Sequence, residues 1–337
     1  MNLIVLTKKW GRNFTGATLA TQFFVSKWIE HFDTIYVFTL NKGDSSIGEN
    51  VVVNLCRGET ELCKKIKNLV NCIGEKEVVG YSDDHLGYLL GSCGVRYLHT
   101  YHGNWPDARK TDIVYFAKSF YFIPLYKKTI KNAFKVVNVS QYMLKFTDKS
   151  NSESVVIRNG IDTKIMASKG SKQKKFLMVG NVDNRKYAKL IEVLTCLKKQ
   201  GISPMIDIYG RIDNRRLVKR LSRYEGVTFC GLCKEIPFKN YLCLINTSCI
   251  ENLSISVCEA LINEIPVICF DVGGLAEVVH DGKNGFVIEK FDTQLMATKV
   301  ADIFNGNEFT NCKFENTDEF NWDYAAKRYI ELFDNMG

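Results

Sequence analysis

Short apolar runs recur along the chain, and longer stretches with helical spacing separate most of them. Runs at Asn2–Thr7, Ile35–Leu40, Val51–Leu55, Val78–Tyr81, Val95–Tyr101, Val136–Val139 and Val155–Arg158 predict strands. Thr18–His31 predicts a helix with Phe23, Phe24, Trp28 and Phe32 on or near one face. The rhythm breaks at Thr163–Lys175, a polar, lysine-rich stretch that reads as a linker. It restarts at Phe176–Gly180 and continues through Met205–Gly210, Val227–Gly231, Leu242–Asn246, Pro266–Asp271 and Phe286–Ile288. Trp322–Asn335 closes the chain as an amphipathic helix. This alternation predicts the α/β class, as two doubly wound, Rossmann-like domains facing a cleft. The boundaries fall at 1–165 and 166–318, with a last helix over 319–337. Ligands of open α/β sheets bind beyond the carboxyl ends of the strands.

Composition narrows the class. The chain has 337 residues, 46% hydrophobic and 24% charged, as expected of a water-soluble globular protein of roughly two domains. No run of about 18 apolar residues suggests a spanning helix, and the N-terminus reads as a first strand rather than a signal peptide. Twelve cysteines, scattered singly and many within apolar runs, predict buried, reduced thiols in a cytoplasmic protein. Cys230-Gly-Leu-Cys233 is an isolated pair without a histidine partner, and Asp83-Asp84 has no supporting cluster, so no metal site is expected. A net charge of +8 favours anionic partners, but no nucleic-acid module is visible and no nucleic-acid partner is expected.

The chemistry concentrates at strand ends. Glu251-Asn-Leu-Ser-Ile-Ser-Val-Cys-Glu259 follows the Leu242–Asn246 strand, with a helix starting near Asn252 to Ser254. The unpaired amides of a helix start carry partial positive charge, suited to a diphosphate. Glu251 can accept a hydroxyl proton beside it, and Glu259 both hydroxyls of a ribose. The competing reading makes Ser256-Val-Cys-Glu259 a capping box. Asp271-Val-Gly-Gly-Leu-Ala-Glu277 follows the next strand, with a glycine turn that lets backbone approach a ligand and a second helix after it. Arg185 and Lys186, beyond the first strand of the second half, can neutralise a diphosphate or form a solvated helix start. In the first half, Gly16 joins the first strand to the first helix without a GxGxxG pattern, which argues against a dinucleotide dehydrogenase. Of His99 and His102, the latter stands before Gly103 and is the better placed to reach a ligand.

Taken in order, these pieces resemble the family 4 glycosyltransferases, retaining enzymes of the GT-B fold. Gly16-Ala17, His102-Gly103, Val139-Ser140, Val156-Ile-Arg-Asn-Gly-Ile-Asp162, Arg185-Lys186, Glu251 to Glu259, Gly273-Gly274 and Phe320-Asn-Trp-Asp323 match its successive motifs. The resemblance implies an acceptor-binding first domain, a nucleotide-sugar-binding second domain, and a last helix that returns to the first. It assigns Glu251, Lys186 and His102 to catalysis. It places Gly16, Asn181, Arg185, Gly210, Cys233, Asn252, Leu253, Ser254, Ile255 and Glu259 around the donor. It implies no cofactor beyond the nucleotide-sugar co-substrate. Two positions depart from the pattern: Asn181 stands where the family usually has arginine, and Ala17 where it has a second glycine.

The implied reaction transfers a hexose or N-acetylhexosamine, UDP-linked by family frequency, to a hydroxyl acceptor with retention and without a metal. The implied acceptor is a saccharide or a lipid-linked saccharide of surface polysaccharide synthesis. Ile113–Lys128 is aromatic and basic. It fits either a helix packing its aromatics on the sheet or a peripheral contact with an anionic membrane, at the inner face of which a cytoplasmic enzyme would work. Two other functions fit the same pattern: a nucleotide-sugar epimerase, and a degenerate partner protein without activity, which Asn181 keeps open.

Overall fold

The computed structural model describes all residues except 12–15, 45–46, 152, 162–172, 234, 308, 310–311, 313, 316 and 337. The chain divides into two units, residues 1–160 with 318–337, and residues 161–317.

The first unit holds strands β1 (Asn2–Trp10), β2 (Ile35–Lys42), β3 (Val51–Leu55), β4 (Val78–Ser82), β5 (Tyr97–Tyr101), β6 (Lys135–Asn138) and β7 (Val155–Val156). They form one parallel sheet in the order β3-β2-β1-β4-β5-β6-β7. Its helices are α1 (Ala17–Trp28), α2 (Glu59–Ile73), α3 (Tyr88–Ser92), α4 (Trp105–Ala108), α5 (Ile113–Asn132) and α6 (Gln141–Thr147). The second unit holds β8 (Lys175–Val179), β9 (Met205–Tyr209), β10 (Val227–Gly231), β11 (Cys243–Asn246), β12 (Val267–Phe270) and β13 (Gly285–Ile288). This sheet is also parallel, ordered β10-β9-β8-β11-β12-β13. Helices α7 (Asn184–Tyr187), α8 (Leu190–Lys199), α9 (Arg215–Leu221) and α10 (Ile255–Ile262) lie between its strands, α11 (Thr293–Phe304) follows the last of them, and α12 (Trp322–Asp334) belongs to the first unit.

Four of the inner strands, β4, β5, β11 and β12, are buried at every residue. Such strands read as continuous apolar runs because helices cover both faces of a parallel sheet. The order reverses beside β1 and β8, so the loops after β1 and β4, and after β8 and β11, diverge to opposite faces and leave crevices there.

Helix α12 is bound to the first unit by aromatic packing. Tyr329 lies 4.7 Å from Phe24 and 5.3 Å from Trp28, centroid to centroid, and Phe333 is 5.2 Å from Trp28. The Tyr329 hydroxyl meets Thr100 Oγ1 at 2.7 Å. Phe24, Trp28 and Phe32 are buried, whereas Phe23 is 47% exposed and stacks on Trp322 at 4.8 Å. The expected linker falls largely on residues outside those described, and its last residue, Lys175, instead opens β8. The helix expected after Gly273-Gly274 is a single 3-10 turn, Leu275–Glu277. Asn284 explains the stop: its side chain accepts from the His280 amide at 2.7 Å and donates to the Val278 carbonyl at 3.0 Å, occupying groups that a continuing helix would use.

All four tryptophans, Trp10, Trp28, Trp105 and Trp322, lie in the first unit, so their fluorescence reports its unfolding alone. Phe333→Ala should destabilise that transition by about 3–5 kcal/mol, the usual cost of emptying a phenylalanine site. An unchanged urea midpoint in tryptophan fluorescence would mean that α12 is not part of this core.

Candidate functional site

The carboxyl end of the second sheet gathers four loops. The side chain of Lys186 folds across Gly180, where an added Cβ would lie 2.8 Å from Lys186 Cδ and 3.0 Å from its Nζ. Gly210, beyond β9, presses on the same loop: a Cβ there would stand 2.0 Å from the Gly180 carbonyl oxygen. Glu251 enters from the loop after β11. Lys186 Nζ lies 3.1 Å from Glu251 Oε1, with 28% of the lysine side chain and 12% of the glutamate side chain exposed. The pair is therefore shielded yet open on the lysine side, where charge interactions are stronger than in bulk water.

Gly273, at φ +65°, brings the fourth loop against this one. A Cβ on it would meet the Glu251 carbonyl oxygen at 1.7 Å, and the Gly274 amide donates to the Asn252 carbonyl at 2.9 Å. Only glycine permits that approach.

Asn252 and Leu253 lead into α10, and Ser254 is its N-cap residue. The Ser254 hydroxyl makes no cap bond and meets Ser256 Oγ at 3.1 Å instead. Ser256 sits inside the first turn and donates to the Val179 carbonyl at 3.4 Å. The capping-box reading of Ser256 and Glu259 is thus overturned, because Ser256 is already helical. The first-turn amides from Ile255 onward end beside β8 without a capping hydroxyl, a source of partial positive charge. Glu259 follows one turn after Ser256 and is half-buried.

The other predicted donor residues are distributed around this end. Arg185 is half-exposed and donates to Asp183 Oδ2 at 2.7 and 3.2 Å through Nη2 and Nε. Asn181 bonds to the Asp213 carboxylate, which Arg211 and Asn181 together hold below its usual range. Cys233 is exposed in the loop after β10, its thiol donating to the Glu235 carbonyl at 3.0 Å. All twelve cysteines are free, but Cys72, Cys230 and Cys233 are exposed, contrary to the expectation of buried thiols.

Three residues that sequence reasoning passed over complete the cluster. Ser248 Oγ donates to Glu251 Oε1 at 2.9 Å, and its amide is held by Asn246 Oδ1 at 2.9 Å. Thr247 Oγ1 donates to the Lys186 carbonyl at 2.6 Å. The signal was available: Asn246-Thr-Ser248 is a polar run that abruptly ends an apolar strand.

In the first unit, Gly16 precedes α1, and its carbonyl accepts from the amides of Leu19 and Ala20. His102 directly follows β5 and is half-buried, and burial pulls its imidazole down to about 4. His99 is buried on β5, paired with Ser82 Oγ at 2.9 Å, and burial lowers it to about 3. His85 is lowered to about 4 by burial and then by Lys8. All three imidazoles are neutral at pH 7. Asp83 and Asp84 follow β4. Asp84 accepts from the Lys8 and Leu86 amides, and burial raises its carboxyl. Asp83 accepts from Thr21 Oγ1 at 2.6 Å, and burial, then the neighbouring Asp84, push it up to about 8.

Residues 162–317 match the family of glycosyl transferases group 1. An uncharacterised glycosyltransferase of Methanocaldococcus jannaschii is 23% identical over 315 residues, spanning 88% of this chain and 87% of that protein. Poly(ribitol-phosphate) alpha-N-acetylglucosaminyltransferase of Staphylococcus aureus is 25% identical over 162 residues, 43% of this chain and 32% of that enzyme. Among solved structures, sucrose-phosphate synthase from Thermosynechococcus elongatus superposes with a TM-score of 0.81 at 16% identity, over 100% of this chain and 99% of that one. Anabaena HepE in complex with UDP-glucose gives 0.74 at 16% identity, over 99% of each chain. The chain has the GT-B glycosyltransferase fold. The Lys186–Glu251 pair lies within the segment that the family matches, whereas Gly16 and His102 lie outside it. Family match and GT-B fold together support a glycosyltransferase.

The raised Asp83 carboxyl fixes a pH dependence for the first unit. Between its unfolded value near 3.9 and about 8, the folded state holds a proton that the unfolded state has released. Its contribution is complete below about pH 4 and is lost as the pH rises through 8. Asp83→Asn should therefore lose less stability than wild type from pH 5 to pH 8, measured as urea midpoints of tryptophan fluorescence. Parallel pH profiles would show that Asp83 is ionised when folded.

Proposed function

We propose that this protein is a retaining, metal-independent glycosyltransferase that moves a hexose or N-acetylhexosamine from a UDP-sugar to a hydroxyl acceptor. The observation that carries this reading is the Lys186–Glu251 pair, held across Gly180 at the carboxyl end of the second sheet, beside the start of α10. A nucleotide diphosphate sugar offers what this arrangement can bind: a diphosphate for the cation and the helix amides, and hydroxyls for the carboxylate.

In this reading Lys186 and the backbone amides that lead into and open α10, from Asn252 through Leu253 and Ser254 to Ile255, stabilise the departing diphosphate, with Arg185 as a second cation. Glu251 holds a sugar hydroxyl, in an orientation set by Ser248. Glu259 takes the ribose, and the loop at Cys233 the base. His102 contributes a neutral imidazole, which can hydrogen-bond a hydroxyl without competing for the phosphates. The bond from C1 to the phosphate oxygen breaks as the acceptor oxygen bonds to C1 on the same face. The acceptor proton passes to the diphosphate. Relatives named as poly(ribitol-phosphate) and poly(glycerol-phosphate) sugar transferases support a saccharide or polyol-phosphate acceptor in surface polysaccharide synthesis.

Lys186→Ala should lower transfer by about 100- to 1,000-fold, the usual loss for one preorganised electrostatic group, while the circular-dichroism melt barely moves. Equal turnover would remove Lys186 from the mechanism. Across a panel of nucleotide-sugars, the true donor at about 100 times its Kd should stabilise the folded chain by about 2.7 kcal/mol. Absence of any stabilising nucleotide-sugar would overturn the donor assignment.

A further inference from the structure

Helix α5 buries one side and presents a divided face on the other. Ser119, Tyr126, Thr129 and Ile130 are buried on the side facing the sheet. On the opposite side, Ile113, Val114, Phe116, Phe120 and Tyr121 are exposed by 76, 54, 40, 70 and 55%. Fourteen large apolar residues are exposed among those described, and five of them crowd into this one segment. Single exposed apolar residues need no explanation, but a contiguous patch marks a contact surface.

The same outer face changes character past Pro124. Lys127, Lys128 and Lys131 follow, all exposed, with no carboxylate between Ile113 and Asn132. Lys127 and Lys131 are four apart, a like-charge pair that disfavours an isolated helix. The acids at the helix start are occupied, Asp107 by Tyr142, Asn104 and Lys110, and Asp112 by the Tyr115 amide it caps; at the other end Glu59 accepts from the hydroxyl of Tyr88, the ring that Lys128 covers. Lys128 lies over the Tyr88 ring at 4.2 Å, so its stem is held on the surface. An apolar half joined to a cationic half fits a bilayer surface, where the rings enter the acyl boundary and the ammonium groups meet lipid phosphates. A second copy docking by the same face offers no counter-charge, because that face carries lysines and no carboxylate. Since α5 follows β5, its apolar half stands at the carboxyl end of the first sheet, the end that carries His102.

We infer that the outer face of α5 docks the protein on an anionic lipid bilayer, with Ile113 and Phe120 inserted and Lys127, Lys128 and Lys131 on the headgroups. No helix among the described residues is long and apolar enough to cross a membrane, so the contact is peripheral. The docking is independent of the transfer reaction and stands or falls separately from it.

The test is flotation of the full chain with phosphatidylcholine vesicles, with and without phosphatidylglycerol. The protein should float with the anionic vesicles, far less with the neutral ones, and be released by salt. The triple variant Lys127→Gln, Lys128→Gln, Lys131→Gln should bind anionic vesicles about 100-fold more weakly, at roughly fivefold per lysine. The double variant Ile113→Ser, Phe120→Ser should lose about tenfold or more per side chain while keeping the wild-type tryptophan unfolding midpoint. Failure of the wild-type chain to float with anionic vesicles overturns the inference, as does wild-type flotation of both variants. A wild-type dimer in light scattering that the double variant abolishes, with no flotation by either chain, would overturn it in favour of a second copy.

Discussion

The second unit depends on how closely its backbone loops approach one another. Beyond the carboxyl ends of β8, β9, β11 and β12, four loops meet at distances that leave no room for a Cβ at Gly210 or Gly273. That crowding makes one small cluster of Lys186, Glu251, Ser248 and Thr247 out of residues far apart in sequence. With Gly273 replaced, the Glu251 loop must move, and the lysine loses the partner that fixes it across Gly180. The sheet itself is ordinary parallel α/β construction, and the glycine contacts turn its edge into a defined charge arrangement.

An ion pair in such a place does not exist for stability. Taking both groups partly out of water costs desolvation energy that their attraction only partly offsets. What the arrangement secures is position. Glu251 receives a hydroxyl from Ser248 and an ammonium from Lys186 on one oxygen, so its remaining acceptor capacity faces a fixed direction. Groups held this way need little reorganisation when charge develops nearby, the condition under which electrostatic stabilisation is most effective.

Much of this was legible beforehand, and the exceptions have physical causes. The apolar runs located the strands because buried parallel strands leave little choice of residue. Strand β1 nonetheless runs on through Lys8, Lys9 and Trp10, since Lys9 pairs with Asn41 and Trp10 with Lys42, and backbone pairing is indifferent to the charge of an outward side chain. The missing helix after Gly274 was decided by Asn284, a residue whose reach back to Val278 and His280 leaves no periodic trace. At the site, the strand-end positions of Lys186 and Glu251 could be read from turn chemistry, but their contact could not. It follows from the fold of the Gly180 loop. Ser248 was overlooked because a serine beside a glutamate is unremarkable until both are seen on the same oxygen.

The two sheets end in chemically different ways. At the carboxyl end of the first, burial lowers the imidazoles of His85, His99 and His102 and raises the carboxyls of Asp83 and Asp84. At the end of the second, Lys186 and Glu251 stand as opposite charges. Neutral imidazoles and a protonated carboxyl can exchange hydrogen bonds with hydroxyl groups while leaving ions alone. A lysine beside uncapped helix amides draws anions and discriminates little among hydroxyls. The two strand ends thus differ in charge state, and the proposed sugar transfer rests on the second, where the ion pair stands.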